Sequence, residues 1–496
     1  MDSSRKAPIR LSNDTLTSLG DDILVPTYDR STLTPGIVHI GLGNFHRAHL
    51  SWYLHRLMQM GEAQDWAIIG AGVRPADETQ RRKLIAQDCL TTLISLEPDT
   101  IAVEIVGSMI GYVPVQGNNA PLIAQIADPG IRIVSMTVTE GGYYQDPSQN
   151  KLDVAHPDIL HDVGNPGAPR TAFGAIIAAL SIRRAKGLGP LTLLSCDNLP
   201  GNGTILREVV VSMARLIDEQ LAEWIDTECS FPNSMVDCIV PATGAKELSL
   251  ATAIGIDDRV PVTHEGFRQW VVEDDFCRGR PAWDLVGATF TAQVQDYEKL
   301  KLRILNGSHQ IISNAGELLS LATIAECMAD PHINAFFRKV VQEEIIPNVP
   351  ELAGVSPVEY SALVEQRFLN PKIIDTPRRV SFDGSSRHVV YLHPTLRDGL
   401  AQGSRTSGLA LAEALWARMC FGSREDGSEI EPNDPQWSDL QVAARQARSR
   451  PISWLEQKKI YGDLKDQPRF SDPFEYWLPR VWANGTRRAI EEYLAG

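Results

Sequence analysis

The chain has 496 residues, 43% of them hydrophobic and 22% charged, enough for two or three folded domains. Its formal net charge of −15 at pH 7 would repel a phosphate backbone, which excludes nucleic acid as an expected partner. The first ten residues lack the apolar segment of a secretory signal, and no stretch has the apolar length that spans a bilayer. We therefore expect a soluble, cytoplasmic protein with no membrane partner.

Seven cysteines are scattered along the chain, a pattern typical of free thiols in a reducing compartment rather than of a disulfide framework. The closest pair, Cys229 and Cys238, has no histidine at ligand spacing beside it. We therefore expect no metal site.

Short apolar runs alternate with helical segments over the first two hundred residues. The runs are Ile37–Ile40, Trp66–Val73, Ile131–Val138 and Leu191–Ser195, and apolar residues recur at helical spacing over His49–Met60. This alternation predicts an α/β fold with a parallel sheet that is covered on both faces.

From about Tyr297 onward, long amphipathic stretches predict a mainly helical second domain. Examples are Ala315–Cys327, Ile333–Ile346 and Leu409–Met419, whereas Ser423–Trp437, rich in acidic residues, glycine and proline, predicts a surface loop. The predicted domains are residues 1–290 and 291–496.

A glycine-containing turn, Gly41-Leu-Gly-Asn-Phe-His46, follows the first predicted strand and opens a helix. Gly41 would permit the tight turn, and Gly43 would let the backbone approach a pyrophosphate at the helix N-terminus. His46 stands where a third glycine is expected, so the match to a Rossmann dinucleotide motif is incomplete. A packing or capping role for His46 stays as open as a cofactor contact.

The stretch Arg74–Glu78 follows the second predicted strand, where a Rossmann fold binds the adenosine ribose. Asp77 there could accept hydrogen bonds from the ribose and repel a 2′-phosphate, which favours NAD, whereas Arg74 favours NADP. The alternative is a solvated loop in which Asp77 caps the following helix.

Apolar residues recur at helical spacing over one later stretch and predict a single long helix: Leu300, Ile304, Ile311, Ala315 and Leu318. On an α-helix, Lys301, Asn306 and His309 fall within one arc of about 140°. Oxidation of a secondary alcohol needs a base for the hydroxyl proton and neutral donors for the developing alkoxide. A lysine can be that base where a dry site or a nearby positive charge lowers its pKa. The alternative is a solvated helix face.

Asn198 belongs to the run Ser195–Gly203, which lies beyond a predicted strand, where open α/β sheets bind ligands. Its amide could be a second donor to the alkoxide. Clusters of asparagine, proline and glycine are also ordinary turn chemistry, so a plain turn remains the alternative.

Together these stretches resemble the mannitol dehydrogenase family of long-chain polyol-specific dehydrogenases over nearly the whole chain. The resemblance rests on the joint order and spacing of Gly36–His49, Ala86–Leu90, Thr137–Tyr143, Ser195–Asn198, Phe231–Asp237, Gln269–Asp274, Tyr297–Glu298, the set Lys301, Asn306 and His309, Arg367–Pro371 and Asp383–Ser385. It implies a Rossmann-type N-terminal domain that binds NAD, an α-helical substrate-binding C-terminal domain, a site in the cleft between them and a monomer.

The resemblance also implies a reaction: reversible, metal-independent oxidation of a polyol to a ketose, either D-mannitol to D-fructose or D-arabinitol to D-xylulose. In this scheme Lys301 is the general base, Asn198 and Asn306 hold the alkoxide, His309 orients the substrate, and Glu298 passes protons to solvent.

Further residues are assigned by the same resemblance. Asp237, Arg379 and Arg387 would contact the substrate, and Phe45 and Arg47 join the predicted cofactor-binding residues Gly41, Gly43, His46, Arg74 and Asp77. Two positions depart from the family pattern, because Arg387 stands where lysine is expected and Cys238 where arginine is expected. The change at position 387 leaves the sugar preference open.

Three alternatives remain. Uronate reductases, which act on fructuronate or tagaturonate, and polyol-phosphate dehydrogenases share the family, although the sequence shows no extra basic cluster for a phosphate. A non-catalytic NAD or sugar sensor is disfavoured, because a sensor needs no base.

Overall fold

The computed structural model describes residues 7–146, 151–352 and 355–496. The chain divides into two compact units, residues 1–295 and 296–496.

A five-stranded parallel sheet forms the centre of the first unit. Its strands are β1 (Pro35–Ile40), β2 (Ala67–Ala71), β3 (Met109–Tyr112), β4 (Ile133–Met136) and β5 (Thr192–Ser195). Their order across the sheet is β3-β2-β1-β4-β5. This is the order of a Rossmann fold, in which the direction of winding reverses between β1 and β4. The predicted α/β fold with a Rossmann-type N-terminal domain is confirmed.

Helices cover both faces of this sheet. Because successive side chains of a strand point to opposite sides, neighbouring residues of one strand pack against different helices. Val38, Ile40 and Val134 pack on one face against the helices Ala172–Lys186 and Asn202–Ile217. Ile37 and Ile133 pack on the other face against the helix Leu50–Gln59. The continuous apolar runs of the sequence follow from this double burial.

Smaller sheets flank the central one. A four-stranded sheet has the order Val262–His264, Thr91–Leu96, Ile101–Val106 and Ile23–Leu24. A three-stranded sheet joins Ser234–Asp237, Gln269–Val272 and Thr289–Phe290. Two-stranded pairs join Ile9–Arg10 to Ile256–Asp257 and Gln145–Asp146 to Lys151–Leu152.

The α-helices of the first unit are Asn44–Ala48, Leu50–Gln59, Asp77–Ile85, Ala120–Ile126, Pro157–Gly164, Ala172–Lys186, Asn202–Ile217, Glu219–Glu228 and Ala245–Ile254. Glycine is required where the helix Asn202–Ile217 begins. A Cβ atom on Gly203 would lie 2.4 Å from the carbonyl oxygen of Phe231 and 2.5 Å from that of Pro232. The start of this helix therefore packs directly against another stretch of backbone.

Among the described residues of the second unit, all regular elements are helices, and β-structure is limited to two isolated bridges. Its α-helices are Val294–Leu300 (which begins just before the division), Gly307–Leu318, Ile324–Ala329, Pro331–Val340, Pro357–Phe368, Pro377–Val380, Gly384–Tyr391, His393–Gln402, Ser407–Met419, Trp437–Ala447, Lys458–Tyr461, Pro468–Asn484 and Thr486–Ala495. Two further segments, Lys301–Asn306 and Val341–Ile345, are π-helical.

The predicted helix Ala315–Cys327 is wrong as a single element. The first helix ends at Leu318, and Ser320 has a positive φ of 60°, which breaks the helical path. Thr323 then caps the helix Ile324–Ala329, because its side chain accepts a hydrogen bond from the Glu326 amide.

We predict that Gly203→Ala lowers the urea midpoint of unfolding, because the added methyl group meets backbone that cannot move aside. Overpacking of this kind costs about 1–3 kcal/mol. Gly164→Ala is the matched control, since a Cβ atom there meets nothing within 4 Å. An unchanged midpoint for Gly203→Ala would show that the two backbones separate at little cost.

Candidate active site

A cavity of about 370 Å³ opens at the carboxyl ends of the central strands in the first unit. Its lining comes from the loops after β1, β2 and β4: Ile40–Asn44, Val73, Arg74, Asp77, Gln80, Tyr112 and Thr137–Thr139. The volume lies in the range of small-molecule sites, and the place is the point where the strand order reverses. The sequence-predicted Gly41, Gly43, Arg74 and Asp77 therefore lie together.

The two glycines of the turn have different structural roles. Gly41 has a φ of +93°, and a Cβ atom there would lie 2.1 Å from the carbonyl oxygen of Thr137. Gly41 therefore allows the loops after β1 and β4 to touch. A Cβ atom on Gly43 would meet nothing within 4 Å, so this residue leaves bare backbone beside open space.

Asp77 is fixed at the edge of this cavity. Its Oδ2 atom accepts hydrogen bonds from the amides of Val73 and Arg74, at 3.0 and 2.9 Å. The carboxylate thus orders the loop that precedes its own helix. The Arg74 side chain is exposed.

Phe45, His46 and Arg47 do not line the cavity. Phe45 stacks on His49, with ring centroids 4.8 Å apart. His46 is buried and stacks on His39 at 3.4 Å, and burial lowers the pKa of His46 well below its usual value. Arg47 is also buried and donates hydrogen bonds to the carbonyl oxygens of Gly43 and Val260 and to Asn44 Oδ1. Of these three residues, Arg47 contacts the glycine turn directly, through the carbonyl oxygen of Gly43.

Asp197 and Asn198 follow β5 at the same edge of the sheet. The buried carboxylate of Asp197 accepts hydrogen bonds from the amides of Val138 and Thr139 and from the hydroxyl of Tyr143. Asp197 therefore joins the loop after β5 to the loop after β4, while the next side chain, Asn198, is exposed.

Asn202 is a positioning residue that the sequence analysis did not single out. Its Nδ2 atom donates to the carbonyl oxygens of Ser195, Asp197 and Ser234, and its Oδ1 atom accepts from the amide of Ser234 at 2.9 Å. The side chain thus ties the segment before Asn198 to the strand that ends at the buried Asp237. The only signal in the sequence is its place in the run Ser195–Gly203.

The helix that carries Lys301 continues from Val294 to Leu318, but its middle is not α-helical. Lys301–Asn306 is π-helical, and the Gly307 amide donates to the carbonyl oxygen of Leu302, five residues back. The predicted arc of about 140° assumed a regular α-helix. In a π-helix, residues five apart are neighbours along the axis, so Lys301 and Asn306 lie closer in direction than predicted.

Lys301 and Glu298 are both buried, at 7% exposure each. They lie three residues apart, and this spacing places side chains on the same face of a helix. The alternative interpretation, a solvated helix face, is therefore wrong for Glu298 and Lys301. Asn306 is half-buried, and its Oδ1 atom has no hydrogen-bond partner within the part of the chain that the structure describes.

His309 is buried against the ring of Phe368, with centroids 4.3 Å apart. Burial lowers the pKa of His309 to about 3, so the imidazole is neutral at physiological pH. Its Nε2 atom finds no partner among the described residues. Asn306 and His309 thus each offer a polar atom that the fold does not use.

Two neighbouring short helices hold Arg379 and Arg387. Arg379 is exposed and pairs through two hydrogen bonds with the buried Asp375, one of them 2.5 Å from Nε to Oδ1. Arg387 donates from Nη1 to the carbonyl oxygens of Val380, at 2.6 Å, and Arg379, at 3.3 Å. The backbone after Arg379 therefore anchors Arg387.

The described residues contain neither a metal-binding cluster nor a membrane-spanning helix. No group of three or more histidine, cysteine or acidic side chains that could hold a metal ion occurs in residues 7–146, 151–352 and 355–496. Within those same residues, no helix has the length and apolar character needed to cross a membrane.

Comparisons with known proteins agree with this architecture. The model of the mannitol dehydrogenase Rossmann domain matches residues 35–285, and that of the mannitol dehydrogenase C-terminal domain matches residues 293–482. The chain belongs to the mannitol dehydrogenase family, and the predicted resemblance is confirmed.

Individual relatives match over almost their full length. Mannitol 2-dehydrogenase of Cereibacter sphaeroides is 50% identical over 470 residues, which cover 95% of this chain and 98% of that protein. The structure of Pseudomonas fluorescens mannitol 2-dehydrogenase in a ternary complex with NAD and D-mannitol matches with a TM-score of 0.91 and 37% identity, covering 98% of this chain and 100% of that one. A D-sorbitol dehydrogenase structure matches with a TM-score of 0.88 and 31% identity, and the match covers 97% of this chain and 100% of that one.

We predict that Asn202→Asp destabilises the first unit, because it replaces a buried donor that serves three carbonyl oxygens with a carboxylate. Each buried polar group left without a partner costs about 1–3 kcal/mol. The change should lower the urea midpoint and increase hydrogen exchange over residues 195–203 and 234–237. Asn118→Asp is the control, because Asn118 is exposed and its Oδ1 atom accepts a hydrogen bond from the Ala120 amide, which a carboxylate can also accept; we expect a change within about 0.5 kcal/mol. Equal midpoints for the two variants would contradict the assignment.

Proposed function

We propose that this protein catalyses the reversible, NAD-dependent oxidation of D-mannitol to D-fructose without a metal ion. The observation that carries the proposal is the buried Lys301 on a helix that also presents the uncommitted polar atoms of Asn306 and His309. The Cereibacter sphaeroides relative and the Pseudomonas fluorescens complex with NAD and D-mannitol support this substrate and this cofactor.

The residues of the first unit fit a dinucleotide. Bare backbone at Gly43 beside the cavity would let a pyrophosphate approach, and Asp77 presents a fixed carboxylate where the ribose of an adenosine would be read. NAD, when bound, supplies a hydride acceptor. We assign Gly41, Gly43, Arg74 and Asp77, which line the cavity, to the cofactor site. Arg47 supports the turn through the Gly43 carbonyl oxygen, and cofactor contacts of Phe45, His46 and Arg47 stay a prediction.

The proposed chemistry of the chain itself is proton transfer and charge stabilisation. Lys301 accepts the proton of the alcohol, and the amides of Asn198 and Asn306 hold the developing alkoxide. Glu298, on the same face as Lys301, passes the proton on to solvent. The neutral His309 orients the substrate through Nε2.

We assign the remaining polyol hydroxyls to Asp237, Arg379 and Arg387. D-Arabinitol and D-sorbitol are the alternative substrates, and the similarity to a D-sorbitol dehydrogenase favours testing the second one. Steady-state rates with these polyols and with the ketose products identify the preferred substrate and direction.

We predict that Lys301→Ala lowers the turnover number for mannitol oxidation by about 10²-fold or more, the usual scale for a general base. Lys301 must be neutral to accept a proton, so wild-type oxidation should rise with pH and fructose reduction should fall. NAD affinity should stay unchanged, because Lys301 lies outside the unit that holds the glycine turn. The measurement is turnover from pH 6 to 10, alongside NAD binding by fluorescence titration.

Lys299→Ala is the matched control for Lys301→Ala. Lys299 lies on the same helix, but its side chain is half exposed and pairs with Asp296 at 3.5 Å. Its removal should leave both the rate and the pH profile intact. A near wild-type rate for folded Lys301→Ala would place the base elsewhere.

We predict that Asp77→Asn raises the efficiency with NADP relative to NAD by about tenfold, or about 1.4 kcal/mol. The amide keeps an oxygen for the loop amides and removes the charge that repels a 2′-phosphate. The adjacent Glu78→Gln is the control, because Glu78 pairs with Arg81 and Arg82 and does not line the cavity. The measurement is the ratio of the kcat/KM values for NADP and NAD. An unchanged ratio would show that Asp77 does not recognise the ribose.

A further inference from the structure

The π-helical form of Lys301–Asn306 does not come from its composition. The segment Lys-Leu-Arg-Ile-Leu-Asn contains neither proline nor glycine, and most of its residues favour the α-helix. Regular α-helix precedes it at Val294–Leu300 and follows it at Gly307–Leu318. Contacts with the surrounding helices must therefore impose the wider turn.

Arg303, in the middle of the segment, makes such contacts. Its side chain is only 12% exposed, and its Nη2 atom lies 2.7 Å from Oδ2 of Asp398. Its Nη1 atom donates to the carbonyl oxygen of Asn348. Asp398 belongs to the helix His393–Gln402, and Asn348 ends the turn Ile346–Asn348. One planar guanidinium thus ties the segment to two other elements.

The anchor at Asn348 is itself fixed. The Asn348 side chain is buried, and its Nδ2 atom donates to the carbonyl oxygen of Glu344 at 2.8 Å. Glu344 lies in the second π-helical segment, Val341–Ile345. Because the acceptor cannot move freely, the rigid fork of Arg303 sets the position of its own backbone.

We propose that Arg303 is a positioning residue that holds Lys301–Asn306 in the π-helical form and so sets the direction of Lys301 relative to Asn306. In a regular α-helix these residues would diverge by about 140°. Base and alkoxide donor would then point to different sides of the helix. This inference rests on the proposed function, because it takes Lys301 as the base.

The test compares Arg303→Leu, Arg303→Lys and Asp398→Asn in the full-length enzyme. Arg303→Leu should lower the turnover number for mannitol oxidation by about 10- to 100-fold, the scale of a misplaced catalytic group. The KM for NAD should stay unchanged, and the pH midpoint of the turnover number should shift, because the surroundings of Lys301 change. Arg303→Lys should recover part of the rate, and Asp398→Asn should show a smaller loss.

Arg397→Leu is the matched control. Arg397 likewise contacts one carboxylate, on Asp463, and one carbonyl oxygen, on Tyr461, but it lies outside the π-helical segment. Its loss should leave the turnover number and the pH midpoint unchanged. If Arg303→Leu does not fold, Asp398→Asn and Arg303→Lys supply the same readouts.

The outcomes separate this inference from the proposed function. A wild-type enzyme that oxidises no polyol overturns the proposed function, and a Lys301→Ala variant with full activity overturns the assignment of Lys301 as the base, on which this inference rests. An active wild type and an inactive Lys301→Ala, together with Arg303 variants of normal turnover and unshifted pH midpoint, overturn the role of Arg303 alone. A lowered turnover number with a shifted midpoint supports both.

Discussion

The proposed site depends on polar atoms that lie inside an apolar helical unit and make no hydrogen bond to the rest of the fold. His309 Nε2 and Asn306 Oδ1 meet this requirement within the described residues, and each such buried atom costs about 1–3 kcal/mol. The apolar side of the same helix offsets this cost, because Ile304, Ile311 and Ile312 are completely buried. Every residue of the helix Gly307–Leu318 is buried, so close packing surrounds this part of the chain on all sides.

In the first unit, the order of the strands determines which loops lie next to one another. The reversal between β1 and β4 leaves their following loops side by side, and Gly41 lets those loops touch. Asp197 and Asn202 then fasten the neighbouring loops through buried hydrogen bonds to backbone groups. The exposed Asn198 is thus held by buried neighbours on either side of it in the sequence. Its position therefore depends on the hydrogen bonds that Asp197 and Asn202 make.

The sequence predicted those parts of the molecule that follow from burial and local periodicity. The strands β1, β2, β4 and β5 were found because double burial gives continuous apolar runs, and Gly41 was found because a strand leads directly into its turn. The strand Ile101–Val106 was missed because Glu104 interrupts its apolar run. The π-helical turn was not predicted, because the residues of this segment favour an α-helix and the apolar residues around it recur at α-helical spacing. The role of Asn202 depends on strands far away in the sequence.

Arg387, proposed as a substrate contact, stands where the sequence analysis expects a lysine in the family. A lysine would bring a single flexible ammonium group, whereas the arginine brings a planar fork whose reach is set by its anchors. One arm of that fork is already bound to the carbonyl oxygens of Arg379 and Val380. Arg379 is in turn held by Asp375, so the two guanidinium groups are linked through a single stretch of backbone. Under the proposed assignment of both residues to the substrate, a polyol hydroxyl that contacts one guanidinium group would therefore be sensitive to the placement of the other.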